Sequence, residues 1–277
     1  MKGLMIMRKL GMNICTAFGT NEIETMQLMK ETGFDTCFTS WELGKNIKNI
    51  KRFADSIELE IETLHAPFSK INSMWIADSN EGDYYTEELK KCIWDAGENG
   101  IPYVVLHTTI GSVVPMTSHM GLTRFGKLVV EAEKCGVKLA FENLEFPRFM
   151  MLILNYFKNE SVGFCYDIGH EYCYTPGLTF LPQLGDRLFC THIHDNFGLG
   201  KEKNVDYRDD LHRIPFDCDL DFEKVCKKLK ECGYTGSLML EVGNRSDYNY
   251  YDGLTAKEFI MKAYDSAVKL RKLTDGE

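Results

Sequence analysis

The chain has 277 residues, is 44% hydrophobic and 26% charged, and carries a formal net charge of −9, a size and composition that suit one large globular domain with a sizeable core. The acidic balance disfavours nucleic acid, which needs a basic surface, and no apolar run approaches the roughly 20 residues of a membrane span. Ten cysteines at irregular spacing, none paired as CxxC, read as reduced thiols of a cytoplasmic protein, and the opening MKGLMIMRKLGMN lacks the apolar stretch of a signal peptide.

Along the chain, short apolar runs predict strands at GMNIC (11–15), FDTCFTSW (34–41), IETLHA (61–66) and YVVLHT (103–108). Further runs follow at VKLAFE (137–142), VGFCYD (162–167), LFCTHIH (188–194) and SLMLEV (237–242). Helical patterns lie between them. NEIETMQLMKETG closes on Gly33, TEELKKCIWDAGENG near Gly100, LTRFGKLVVEAEKCG on Gly136 and DFEKVCKKLKECG on Gly233. Glycine just past a periodic segment is the expected left-handed stop. Strand and helix thus alternate from end to end, which implies a parallel sheet with crossover helices. Eight such units favour a closed barrel over an open sheet. No GxGxxG or GxxxxGKS loop follows the first strand, which weighs against a nucleotide-binding fold. No linker or low-complexity stretch interrupts the pattern. The expected fold is therefore α/β, a (β/α)8 TIM barrel, with residues 1–277 forming a single domain.

Residues that could ligate a metal recur at or just past the strand ends: His65, His107, Glu142, Asp167 with His170, His192 and Glu241. Asp210 and His212 sit in the loop before the last strand. Active sites of (β/α)8 barrels lie at these carboxyl ends. The alternation of the strands is consistent with it. Val137, Leu139 and Phe141 share one face of their strand, and Ala140 and Glu142 the other. Val162, Phe164 and Tyr166 likewise oppose Gly163, Cys165 and Asp167, and Leu238 and Leu240 oppose Ser237, Met239 and Glu241. In each strand the bulky set can face the helices while the candidate ligand faces inward. Any one of these residues alone is as readily a packed or solvated side chain; the joint placement carries the signal. His119, on a helical segment, reads as surface. His194 lies on the same face as His192, so either is a candidate ligand and the other its support. Imidazoles with carboxylates and no cysteine suit Zn²⁺, Mn²⁺, Co²⁺ or Fe²⁺.

The ordered set LHAPF, VVLHT, FENLE, YDIGH, THIHDN, DxH and LEV resembles the xylose isomerase-like TIM barrel superfamily over residues 10–270. That superfamily joins sugar and sugar-phosphate isomerases and epimerases with abasic-site nucleases of the endonuclease IV type. The resemblance implies a shared metal centre of Glu142, Asp167, His192 and Glu241. In multi-metal members, the positions matching His65, His107, His170, Asp210 and His212 complete further sites. It therefore implies a divalent metal cofactor, Zn²⁺ or Mn²⁺, in one to three copies. The activity implied is isomerisation or epimerisation of a small sugar, with Glu142 and Glu241 as the catalytic pair that moves a proton through an enediolate. The alternative is a metal-dependent phosphodiester hydrolase. A barrel that binds metal and ligand without turnover is a third reading. The segment APFSKINSMWIADSNEG shows no basic, strand-penetrating loop, and LEFPRF after Asn143 lacks the Gly-rich continuation of the nucleases. FTSWE and DLHRIPFDCDLDF instead resemble the sugar-isomerase branch. Trp41, Phe68 and Trp75 are candidates to stack on a sugar ring or to pack within their loops, and Lys70, Arg148, Arg208 and Arg213 are candidates for the barrel mouth or for plain surface charge. The expected partner is a small sugar, with neither membrane nor nucleic acid; a homo-oligomer is compatible with the sequence.

Overall fold

All eight predicted strands form within two residues of their expected bounds: β1 (Leu10–Asn13), β2 (Thr36–Ser40), β3 (Glu60–His65), β4 (Tyr103–Leu106), β5 (Lys138–Glu142), β6 (Val162–Asp167), β7 (Leu188–His192) and β8 (Leu238–Leu240). This computed structural model describes residues 7–200, 206–244 and 250–276. Among them the sheet runs β7-β6-β5-β4-β3-β2-β1-β8, each neighbour parallel. A parallel bridge between Ile193 and Leu240 closes the ring; Ile193 N donates to Met239 O (2.9 Å) and Glu241 N to Ile193 O (3.0 Å). The α-helices between and after the strands, among the described residues, are α1 (Glu22–Thr32), α2 (Ile47–Ser56), α3 (Asn80–Glu98), α4 (His119–Cys135), α5 (Pro147–Tyr156), α6 (Ile168–Tyr174), α7 (Leu181–Leu184), α8 (Phe222–Glu231) and, after β8, α9 (Ala256–Asp275). The chain is an eight-stranded (β/α) barrel. None of the described helices is long and apolar enough to cross a membrane.

The four glycine stops behave as their sequence context requires: Gly33, Gly100, Gly136 and Gly233 all have positive φ, where a side chain would be strained. Elsewhere the helices end differently. After α2 the left-handed position is taken by Glu58 (φ 56°), so no glycine marks that end in the sequence.

Strand parity sorts the core into two layers. Leu139, Phe141, Phe164, Tyr166, Leu238 and Leu240 join the large cluster under the helices. Val105, Ala140, Cys165 and Cys190 form a separate inner cluster inside the barrel. Small residues fill the inner layer because the strands leave little room there. One step further along β5, β6 and β7, the same inward parity delivers Glu142, Asp167 and His192 to the upper end of the barrel.

Elsewhere in the sheet, Glu62 is buried and accepts hydrogen bonds from Ser237 Oγ (2.5 Å) and Thr36 Oγ1 (3.4 Å). Burial pushes its carboxyl above the ordinary range, against the lowering effect of the Ser237 hydrogen bond. A raised folded-state value means folding favours the protonated acid. The stability this contributes is full below the unfolded value of 4.5 and is lost as pH rises through the folded value. Glu62→Gln is therefore expected to flatten the decline in stability above about pH 4.5, read from urea midpoints across that window. Parallel pH profiles for the two proteins would show that Glu62 keeps its charge on folding.

Candidate metal centre

Glu142 is the hub of the barrel's upper end. Its side chain is fully buried at the end of β5. Oε1 lies 3.0 Å from His192 Nδ1, and Oε2 lies 3.1 Å from His107 Nε2 and 3.4 Å from His65 Nε2. Glu241 Oε2 is 2.9 Å from the same Nδ1. Burial pushes both carboxyls up, but the facing imidazoles, His192 foremost, outweigh it and hold both well below the carboxylate range. The converse holds for His192. Burial lowers its value, and Glu241 and Glu142 together raise it well above the usual range.

Asp167 ends β6 and caps α6, its Oδ1 accepting from His170 N (2.6 Å). Asn143 fixes its backbone, donating from Nδ2 to Asp167 O (2.7 Å) and accepting from Asp167 N (2.9 Å). Nothing in the residue type or sequence position of Asn143 distinguishes this clamp from an ordinary loop amide. A second group gathers beside the first. His170 Nε2 and His212 Nε2 lie 3.2 and 3.0 Å from Asp210 Oδ2. His194 Nε2 lies 3.1 Å from Asp167 Oδ1 and 3.4 Å from Asp210 Oδ1. Burial lowers His212, but Asp210 raises it to about 9.

The orientation of the rings tests whether a cation fits. A carbonyl can only accept, so the Nδ1 of His65, His170 and His212 donates, to Ala66 O (2.9 Å), Asn143 O (3.0 Å) and Glu241 O (3.0 Å). Each ring is thereby left with Nε2 facing the carboxylates, the arrangement that orients imidazole toward a metal. Glu142 Oε2, Asp167 Oδ2 and both ring nitrogens of His194 are buried with no hydrogen-bond partner among the described residues, a costly state unless a further group satisfies them. Ligand atoms of Glu142, Asp167, His192 and Glu241 all lie within 4.8 Å of one another, as do those of His65, His107 and Glu142, and those of His170, His194, Asp210 and His212. Donor type, ring orientation and spacing all fit divalent cations.

Above these groups opens a pocket of about 650 Å³. His65, His107, Glu142, His170, Asp210, His212 and Glu241 form its polar lining, and Phe68, Ile110, Leu144, Tyr174 and Tyr207 its apolar wall. Phe68 stacks on His107 at 4.2 Å between ring centroids. Two of the three candidate stacking rings are packed inside the protein instead. Trp41 is buried, donating to Asp95 Oδ2 (2.5 Å), and Trp75 is buried against Phe125 and Phe149, donating to Thr108 O (2.7 Å). Large apolar rings on loops that fold back under the helices gain more by burial than at the rim. The four candidate cations do not line the pocket itself. Lys70 pairs with Glu81 (3.7 Å), Arg148 covers the Phe146 and Phe149 rings, and Arg213 covers Phe197 and Tyr250. Arg208, which pairs with Asp206, lines a neighbouring cleft with Glu145. His119 is exposed at the start of α4.

The comparisons agree with this architecture. A family profile described as xylose isomerase-like TIM barrel matches residues 26–263. An uncharacterized protein of Methanocaldococcus jannaschii is 28% identical over 271 residues, 87% of this chain and 83% of that one. An uncharacterized protein of Sinorhizobium fredii is 31% identical over 204 residues, 65% of this chain and 63% of that one. Among solved structures, a D-psicose 3-epimerase from Clostridium cellulolyticum H10 with D-tagatose superposes with a TM-score of 0.76 at 12% identity, covering 95% of this chain and 99% of that one. The IOLI protein with a binding zinc atom gives 0.75 at 20%, covering 95% and 98%. A D-tagatose 3-epimerase-like protein gives 0.71 at 23%, covering 95% and 96%.

Proposed function

The chain belongs to the xylose isomerase-like TIM barrel family, and from that premise we propose that it is a divalent-metal-dependent isomerase or epimerase of a small sugar or sugar phosphate. The observation that carries the reading is the disposition of two carboxylates. Glu142 and Glu241 approach one ring nitrogen of His192, at 3.0 and 2.9 Å, at the base of a pocket with an aromatic and aliphatic wall. Epimerising a carbon needs a base on one face and an acid on the other, and a pair of carboxyls, one ionised and one protonated, can fill both roles. Glu142, Asp167, His192 and Glu241 would hold a divalent cation, which when bound polarises a carbonyl and its neighbouring hydroxyl and so acidifies the intervening C–H. Glu142 would remove that proton and Glu241 return it, or the reverse for the opposite epimer. Phe68 and Tyr174 offer the apolar faces on which a sugar ring stacks. The epimerases among the structural neighbours support the substrate class.

A phosphodiester hydrolase is the second reading, favoured by the three adjoining ligand groups; such sites can clamp the attacking and leaving oxygens of a phosphate ester. One experiment separates the two. The protein, loaded with Zn²⁺ or Mn²⁺, is incubated in heavy water with a panel of ketoses, aldoses and their phosphates. The proposal expects deuterium at the carbon next to the carbonyl of at least one sugar. Cleavage of duplex DNA beside an abasic site, without exchange in any sugar, would select the hydrolase.

A further inference from the structure

We infer that the second ligand group is a closed, four-ligand cation site, and that His194 is the residue that closes it. The inference rests on the metal-binding reading above, not on the reaction. Three of the four side chains, His170, Asp210 and His212, face the pocket. His170, Asp210 and His212 alone would leave one position of a tetrahedral shell open, and a fourth protein ligand would fill it. His194 enters from beneath. It follows Ile193, whose side chain packs outward, so its ring returns inward two residues after His192. It is completely buried, stacks on His212 at 4.2 Å between centroids and meets His170 edge-on at 5.5 Å. Its ligand atom lies within 4.8 Å of those of the other three residues.

Two features mark this ring as placed for a partner. Neither nitrogen makes a hydrogen bond among the described residues, although Nε2 approaches two carboxylates. An imidazole sealed in the interior without hydrogen bonds is costly unless a cation or proton occupies the space between ring and acids. The second feature is the room made for it. A Cβ built on Gly169 would stand 1.9 Å from His194 Cε1 and 2.3 Å from Nδ1, so only glycine at the first turn of α6 admits the ring. With an ion there, β7, α6 and the Asp210–His212 loop would be tied to one point. No position would remain for a water or a substrate oxygen in a tetrahedral shell. The second ion would then hold the pocket wall.

The test uses cobalt as a reporter in metal-stripped protein, because four-coordinate Co²⁺ absorbs strongly in the visible and six-coordinate Co²⁺ weakly. Wild type, His194→Asn and His212→Asn are titrated with Co²⁺ against a chromophoric chelator, with Glu241→Gln as a control for the first centre. The proposal expects a strong band that survives Glu241→Gln. Both His194→Asn and His212→Asn should remove it and weaken that class of site by roughly 100-fold. A band lost in His212→Asn but kept in His194→Asn at unchanged affinity would overturn the proposal, as would the absence of any second class of site. Should His194→Asn fail to fold, wild-type crystals grown with Zn²⁺ decide the matter. Anomalous density with a His194 nitrogen at ~2.0–2.1 Å supports the closed site, and an ion remote from His194 refutes it. None of these readouts depends on turnover, so a failed isomerase assay leaves them intact, and the reverse.

Discussion

Glu241→Gln is expected to suppress solvent deuterium incorporation into the substrate by about 10²–10⁴-fold, the usual worth of a positioned general acid or base. Glu142→Gln should do the same. The amide keeps the shape of the side chain and one ligating oxygen but cannot accept the proton. Because both residues also belong to the ligand group, metal content must be measured on the same samples. Loss of exchange with metal retained identifies a proton-transfer role; loss of both identifies a residue needed to hold the metal. Asp167→Asn supplies the contrast. Asp167 is fully buried and does not line the pocket, so it should lose metal and exchange together. Exchange that persists in metal-free Glu241→Gln protein would rule the mechanism out.

The largest effect on stability is expected at Arg124. This residue is 1% exposed; its Nε donates to Asp83 Oδ1 (3.0 Å) and the rest of its guanidinium to backbone. Nη1 donates to Met74 O (2.9 Å), Ile76 O (2.7 Å) and Ser73 O (3.3 Å), and Nη2 to Ser79 O (2.9 Å). These carbonyls belong to the segment between β3 and α3, where Ile71–Trp75 forms a short 3₁₀ turn. Trp75 then anchors the same segment through Thr108 O, and Ser118 Oγ donates to Trp75 O (2.6 Å). Arg124 therefore fixes the loop that begins with His65 and Phe68 at the pocket. Arg124→Met fills the volume but leaves several carbonyls without donors, each costing about 1–3 kcal/mol where water cannot reach. A net loss of about 3–5 kcal/mol is expected, or a melting temperature lower by roughly 10 °C for a chain of this size. Arg124→Lys should recover little, since an ammonium cannot span the fork. The exposed neighbour Lys127→Met should change stability by no more than about 0.5 kcal/mol. A melting temperature for Arg124→Met within the range of that control would show that the network contributes nothing.

What the sequence by itself determined was the repeating part of this protein. Strand and helix periodicities, with glycine after four helices, specify the order of the elements. Inward parity then places Glu142, Asp167 and His192 on the barrel's inner face, because side-chain alternation along a strand is a local property of the backbone. The barrel and the residues at its rim follow from that. Features made by residues distant in the chain did not. The aromatic loops are an example: Trp41 and Trp75 read as candidate pocket walls and are buried, while Phe68 reaches the pocket. Which histidine of HIHDN joins which group is another. Both share one face, and only the packed positions of the carboxylates and Gly169 set His192 between Glu142 and Glu241 and His194 between Asp167 and Asp210. Asn143 bridging β5 to β6 and Arg124 holding the loop after β3 were likewise invisible, each being an ordinary polar residue in a strand end or a helix. Their partners lie 24 to about 50 residues away. Hydrogen bonds across such separations depend on where the loops are packed, and that is decided only when the barrel closes.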